Sequence, residues 1–474
     1  MKKFIIIFSC VCIIGAESYC ATDSGPLVVE SDYMNYVNAQ NKKNQKPKEK
    51  APKQFIMSSV DTVKIAGRMV DRGDYEHAMQ LLTMMPETNN LPVEIERWYL
   101  IAQIAMRRGD YDTAIKIYRK ILDDQPDLVK IRYELALCYM HQRKWYRADY
   151  HLRLAMAGND IPELVKKKMF YDRYIIRQNK NWNIWFNFGA VPDNNINQVA
   201  GGEECITNAW GTFCRQLPDP ISAVGYNTTL GGNYEFKFGG HWRWKSDANL
   251  YSNTYSKHEY DDFYLGASTG PRYVWNNGDV WVAGIFSRRF YGWDGYNLSY
   301  GGKMDANYDI SRRWGAGLSL FMTNNIYDDF AEYMNGQTYS GNLRISYSFD
   351  ASKYLILRNG VAREYAKNDI YKNWRYTVAL GFGMELPWGF HVYVEPSLAW
   401  TRYDGARWAV MNNNYIKITE HDFTQRYSIS VSNNKIDIWG FVPTITFGYT
   451  RRDSNIKNRG YDKMAIEFHM QQRF

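Results

Sequence analysis

The sequence predicts a two-part α + β chain: an N-terminal α-solenoid of short helical repeats, followed by a 14-stranded antiparallel transmembrane β-barrel. Three observations predict it. A motif returns at intervals of 36 and 34 residues between Arg72 and Ala148, which marks stacked helix pairs. After Asn181 the apolar residues change from helical spacing to every second position, the strand period. From there to the end, tight turns alternate with long polar loops, as in barrels that cross an outer membrane.

Composition agrees. Mean hydropathy is −0.51, and no internal stretch approaches the ~20 continuous apolar residues a membrane helix needs. A helical membrane protein is excluded. A barrel is not, because only alternate strand residues must be apolar. Aromatics reach 16%, with Tyr at 38 and Trp at 16, the amphipathic rings that populate barrel girdles. The formal charge of +8 is scattered over 474 residues, with no basic stripe on a recognition motif, so no nucleic-acid partner is expected.

Residues 1–20 read as a secretory signal peptide: Lys2 and Lys3 precede a short apolar core that ends in small residues. Cleavage is expected after Ser18 or Cys20. Glu17-Ser18-Tyr19 makes a poor lipidation signal before Cys20. Residues 21–54 form a leader in which Asn41–Lys53 carries six lysines and two prolines. That segment cannot bury enough apolar surface to offset its ordering entropy, and reads as a solvated tether.

Residues 55–178 hold the repeats. Arg72-Gly73-Asp74-Tyr75 returns as Arg108-Gly109-Asp110-Tyr111, and a degenerate copy begins at Arg143. Ala78, Ala114 and Ala148 mark the period, and the middle unit runs Trp98, Ala102, Gly109, Tyr111, Ala114, Tyr118, Pro126. This matches the tetratricopeptide pattern, in which small residues let paired helices close up and large ones fill the gaps. Three repeats imply about six helices, with a capping helix near 162–177. Such arrays bind a peptide or protein in a concave groove.

Residues 182–474 read as the barrel. Strands are expected near 182–190, 223–237, 239–253, 262–275, 279–288, 296–310, 313–326, 337–350, 353–365, 372–386, 389–403, 424–432, 435–450 and 460–474. The alternation is clearest where Trp374, Tyr376, Val378, Leu380, Phe382 and Met384 face away from Arg375, Thr377, Ala379 and Glu385. Tight turns at Phe238-Gly-Gly, Asn276-Asn-Gly, Ser311-Arg, Ala351-Ser, Pro387-Trp and Asn433-Asn alternate with long loops, including 190–222 and 403–424. Every long loop then falls at the end away from the repeats, and inward faces mix Arg344, Glu364, Arg375, Glu385, Glu395 and Arg426. In the last strand Met464, Ile466, Phe468, Met470 and Phe474 share one face opposite Lys463, Glu467 and His469. Phe468, Met470 and the terminal Phe474 resemble the signal read by bacterial barrel-assembly machinery.

Three cysteines remain beyond the signal segment. Cys205 and Cys214, nine apart in a Gly/Asn/Pro-rich loop, read as a local disulfide in an oxidising compartment. Cys138 reads as a small buried hydrophobe. No Cys/His grouping has zinc spacing, and no phosphate loop or nucleophile elbow is present. No metal or cofactor is expected. His241, His258, His391 and His421 have acids or hydroxyls not far away in sequence, but nothing selects one as a base, so no enzyme is expected.

The junction between the two parts is Trp185-Phe-Asn-Phe-Gly-Ala-Val-Pro-Asp-Asn-Asn-Ile-Asn197. Here the chain resembles the surface lipoprotein assembly modulator family, which pairs a periplasmic tetratricopeptide domain with a fourteen-stranded barrel opening on a similar run. The resemblance implies a bacterial outer-membrane protein, its N-terminal domain in the periplasm, delivering lipoproteins or related secreted binding proteins to the cell surface. The implied partners are that client, outer-membrane lipids, the barrel-assembly machinery and periplasmic chaperones. The lysine-rich leader and the Cys205/Cys214 loop depart from the family pattern. Pro192, Asp193, Asn194, Asn195 and Asn197 are the candidate client-binding or gating residues. Asn and Asp side chains hydrogen-bond extended backbone and cap turns, so they either grip a client strand or set the turn at the barrel rim. The rival is an exopolysaccharide export porin with its own tetratricopeptide domain; a plain porin would leave the repeats without a task.

Overall fold

The computed structural model describes residues 57–472 except 412, 437, 439 and 440; the expected signal segment, the leader and Phe474 lie outside the described residues. Among the described residues seven helices come first: α1 (Ser59–Asp71), α2 (Tyr75–Met84), α3 (Leu91–Arg107), α4 (Tyr111–Asp124), α5 (Val129–His141), α6 (Trp145–Met156) and α7 (Glu163–Asn179). The first six pair into three hairpins, and α7 caps the stack. The repeated motif is the hairpin turn itself. Gly73 (φ +83°) and Gly109 (φ +82°) close α1 and α3 in left-handed geometry, which costs glycine little. The next residue then caps the following helix: Asp74 accepts from His77 N at 3.4 Å, and Asp110 from Thr113 N at 3.1 Å. In the third copy Arg143 takes the glycine position at φ +57°, and Lys144 takes the cap position with no side-chain cap. Ala78, Ala114 and Ala148 are fully buried where helices meet, and Tyr118 fills the space beside Ala114.

The barrel strands are β1 (Trp182–Asp193), β4 (Ala223–Gly239), β5 (Trp242–Tyr255), β6 (Asp262–Trp275), β7 (Gly278–Tyr291), β8 (Asp294–Asp309), β9 (Trp314–Tyr327), β10 (Gly336–Ser348), β11 (Lys353–Ala366), β12 (Asn373–Glu385), β13 (Phe390–Met411), β14 (Asn414–Asn433), β15 (Phe441–Ser454) and β16 (Tyr461–Gln472). Each pairs antiparallel with the next, and β1 closes the sheet against β16, so the fourteen strands form a barrel without a free edge in its wall. Register carries one face around the ring. Leu343, Tyr376, Leu380, Met464 and Phe468 stand exposed outside, while Asn342, Arg344, Arg375, Glu395 and Arg426 stand on the lumen face. An apolar belt of that extent is what lipid covers.

Two expected loops proved to be strand. Residues 403–424 extend the β13–β14 hairpin, whose pairing runs out to Met411↔Asn414 with a register shift between Arg402 and Ala406. The irregularity at Tyr403-Asp404-Gly405 reads locally as a turn, yet acts as a bulge that lets the ribbon continue. Residues 190–222 contain a separate hairpin, β2 (Glu203–Asn208) with β3 (Gly211–Gln216), in which Cys205 pairs with and is disulfide-bonded to Cys214. This hairpin meets the extended ribbon where Thr207 N donates to Asn413 O at 2.8 Å.

Candidate functional site

The helical array lies across one mouth of the barrel and is held there by polar contacts. On α6, Tyr146, Asp149, Tyr150 and Arg153 fall at i, i+3, i+4 and i+7, and so share one face. That face meets the rim. Tyr146 Oη donates to Asn233 Oδ1 of β4 at 3.0 Å, and Tyr150 Oη to Glu385 Oε1 of β12 at 2.6 Å. Arg132 of α5, its side chain fully buried, pairs with the same Glu385 and donates to Pro126 O at 2.8 Å. From α7, Arg173 reaches Asp309 at 2.9 Å, Arg177 pairs with Asp309 and donates to Asn276 O at 2.6 Å, and Gln178 accepts from Arg243.

The β8–β9 turn answers from the barrel side. Arg312 donates to Gly158 O at 2.6 Å, and Arg313 to Ala157 O at 3.0 Å and Asn159 Oδ1 at 2.6 Å. Ala157 O and Gly158 O are backbone carbonyls at the end of α6, where the helix dipole is negative and a guanidinium is favoured. Lys435 of the β14–β15 turn pairs with Asp124 at 2.9 Å. Beneath α6, Asp149 gathers Lys180 at 3.2 Å, Arg173 at 3.5 Å and Arg153 at 3.7 Å. Burial by itself raises the Asp149 carboxyl, but those three cations pull it far below the usual carboxylate range. Burial pushes the Tyr146 hydroxyl up to about 12. A cavity of about 370 Å³ remains between cap and rim, lined among others by Arg132, Tyr150, Tyr354, Glu385 and His391.

The lumen behind the cap is lined by polar and charged residues, many of them paired. Arg272 joins Glu235 (2.6 Å) to Asp279 (3.1 Å), and Lys303 reaches Asp247 (3.4 Å). Arg358 pairs with Glu395 and donates to Tyr393 Oη at 3.0 Å.

The Pro-Asp-Asn-Asn-x-Asn run lies at the opposite end, where β1 leaves the barrel. Asp193 is buried, pairs with Lys463 of β16, and accepts from Asn195 N at 3.0 Å. Asn194 meets Met464 in both directions: its N donates to Met464 O (3.2 Å), and its Oδ1 accepts from Met464 N (2.8 Å). Asn195, also buried, donates from Nδ2 to Asp462 O and Val199 O, both at 2.9 Å, and accepts from Val199 N at 3.1 Å. Asn197 holds Asp219 O and Ile221 N, each at 2.9 Å. Pro192 has no N–H to give; the β1–β16 register runs through Ala190↔Phe468 and resumes at Asp193↔Ala465. These side chains therefore grip this chain's own backbone, clasping the seam between first and last strands and the approach to β4. Local sequence shows that they bond extended backbone; it does not show that the backbone belongs to β16.

The four histidines are not gathered. His241 and His391 sit at the capped end, and His258 and His421 at the other, with His258 bonded to Asp261 at 2.9 Å. Among the described residues, the one grouping of metal-ligand types is Glu203 beside Cys205 and Cys214, whose sulfurs are joined to each other. Phe468 and Met470 lie on the outward face of β16. The rim contact of Tyr150 has only the polar-aromatic stripe of α6 as a sequence signal, and those of Arg132 on α5 and Arg177 on α7 have none.

Comparison with known proteins bears on both parts. A family model described as surface lipoprotein assembly modifier matches residues 182–474, and a tetratricopeptide repeat model matches residues 95–138. The surface lipoprotein assembly modifier of Pasteurella multocida is 21% identical over 382 residues, covering 77% of this chain and 74% of that one. Surface lipoprotein assembly modifier 1 of Haemophilus influenzae is 21% identical over 381 residues, covering 77% and 75%. Among solved structures, the outer membrane channel DcaP of Acinetobacter baumannii aligns at TM-score 0.36 and 8% identity, over 62% of this chain and 97% of that one. A bacterial polysaccharide outer membrane secretin aligns at TM-score 0.33 and 11% identity, over 61% and 98%.

Proposed function

The chain belongs to the surface lipoprotein assembly modifier family, and from that premise we propose that it is an outer-membrane translocator carrying lipoproteins from the periplasm to the cell surface. In this scheme the helices α1–α7 stand in the periplasm and take the client. The barrel supplies the route, and Asp193, Asn194 and Asn195 keep the β1–β16 seam shut at the outer end. Phe468 and Met470 present the outward-facing signal for barrel assembly.

The observation that carries this reading is the docking of a repeat array across the mouth of a polar-lined barrel. A client entering the lumen from that side must first pass the array. The interface supports a separable cap: the contacts that hold it are ion pairs and hydrogen bonds, such as Arg132–Glu385 and Arg173–Asp309, the polar kind of seam along which domains part. The lumen mixes both charge signs, which suits a polypeptide better than a polymer of one sign.

The test is co-expression with a candidate lipoprotein and protease shaving of intact cells. Full-length protein is expected to bring the lipoprotein to the surface, and a chain lacking residues 55–178 is expected to leave it inside. Equal surface exposure with the shortened chain would remove the helices from the mechanism. Loss of extracellular polymer on deletion, with no lipoprotein moved, would favour the polysaccharide exporter.

A further inference from the structure

One cavity in the lumen wall is lined by three cations and three carboxylates, and one of the cations, Arg344, stands outside the ion pairs. Arg344 of β10 stands directly opposite Arg358 of β11 in register, both on the lumen face. Like charges at a directly opposed pair repel. Arg358 is neutralised by Glu395. Arg344 is not: it donates to the neutral Asn307 Oδ1 at 3.2 Å, and among the described residues no carboxylate forms an ion pair with it.

Arg344 opens onto a cavity of about 600 Å³, lined also by Lys245, Asn307, Asn342, Ser319 and Thr377. Small residues keep the space around it clear. A Cβ on Gly317 would stand 3.3 Å from both Arg344 Nη2 and Asn307 Oδ1, and one on Gly360 would stand 2.8 Å from Asn342 Oδ1. The cavity's acids are already engaged: Asp279 by Arg272, Asp305 by Lys303 and Glu395 by Arg358. Lys245 lies over the Trp281 ring at 4.1 Å, with Lys303 over the same ring at 4.0 Å, and among the described residues no carboxylate forms an ion pair with Lys245.

We propose that this patch is an anion subsite which takes the carboxylate of an acidic, extended peptide segment passing through the barrel. Arg344 supplies the charged fork for the carboxylate, and Asn307 and Asn342 supply amide groups for the peptide backbone. A volume of this size accommodates a few extended residues. Asn307, Asn342, Ser319 and Thr377 stand beside the guanidinium, and their amides and hydroxyls pair with peptide groups rather than with an acyl chain, which favours a peptide over a lipid headgroup.

The inference rests on the proposal that polypeptide travels the lumen, but its test does not need transport. Purified full-length protein in detergent is titrated with a fluorescent hexaglutamate peptide, its hexaglutamine counterpart and inorganic phosphate. Hexaglutamate is expected to bind about tenfold more tightly than hexaglutamine, the equivalent of one charge-assisted contact. Arg344→Gln should abolish that preference, and Arg344→Lys should restore part of it. Both variants are checked for an intact barrel by heat-modifiable migration on gels. Equal binding of the two peptides, or an unchanged preference in Arg344→Gln, overturns the subsite. So does a phosphate affinity matching hexaglutamate, which would assign the patch to a free anion. Acidic-peptide preference in a protein that moves no lipoprotein would sink the transport proposal and leave the subsite standing.

Discussion

Arg132 of α5 and Glu385 of β12 lie 253 residues apart in the chain and form an ion pair at the capped mouth of the barrel, with the arginine side chain fully buried. Tyr150 Oη donates to the other carboxylate oxygen at 2.6 Å. Removing one partner of such a pair leaves a buried charge uncompensated, a cost of about 3–5 kcal/mol. Glu385→Gln is therefore expected to undock the cap without opening the barrel. Hydrogen exchange over residues 145–156 should accelerate, while exchange in the strands stays slow. Unchanged protection on α6 would show that the latch is not what holds the cap.

A second prediction concerns acid. The Asp149 carboxyl is held far below its usual range in the docked state, so its folded pKa lies under the unfolded value of about 3.9. A depressed carboxylate contributes stability that is fully present above the unfolded pKa and is lost as pH falls through the folded one. Cap protection should be level from neutrality down to about pH 5 and fall below about pH 4. In Asp149→Asn that acid dependence should flatten. The same acid profile in the variant would assign the effect to other carboxylates.

Arg143 marks where the third repeat departs from the first two. It occupies a left-handed turn position, φ +57°, that Gly73 and Gly109 fill in the other copies. A residue with a Cβ there costs about 1 kcal/mol or more. Glycine removes that cost but adds backbone freedom to the unfolded chain. The balance predicts a gain of up to about 1 kcal/mol for Arg143→Gly, read as a rise in the helical domain's thermal midpoint. A fall would mean that the arginine side chain makes a compensating contact.

The seam clasp should be graded. Asn195 is buried and spends its amide on three backbone groups, so Asn195→Ala loses about 1 kcal/mol for each bond. Asn197→Ala removes two bonds at exposed or half-buried sites, where water substitutes. Asn195→Ala is expected to lower the temperature at which the barrel loses its compact gel migration, and Asn197→Ala to lower it less. The reverse order would place the seam's strength in the loop to β4.

What was legible in the sequence follows from what each residue senses locally. Tyr376 and Leu380 against Arg375 and Ala379 show a lipid side and a wet side, because a strand's two faces are written in alternate positions. The repeat turns at Gly73-Asp74 and Gly109-Asp110 were equally readable, since backbone conformation and cap are set by adjacent residues. The ribbon beyond Arg402 reads as a loop because a bulge at Tyr403-Asp404-Gly405 breaks the alternation while the pairing continues. The clasp and the cap were not legible. Asn195 finds Asp462, and Arg177 finds Asp309, only after the barrel closes.

The most direct test of a route through the lumen compares neighbouring positions on β9. Ser319 faces the lumen cavity, and Leu320 faces outward with 41% exposure. A photo-crosslinking residue is placed at each position in full-length protein co-expressed with the lipoprotein client. Crosslinks to the client at position 319 and none at position 320 are the predicted result. Crosslinks at position 320 alone, or equally at both, would contradict passage through the barrel.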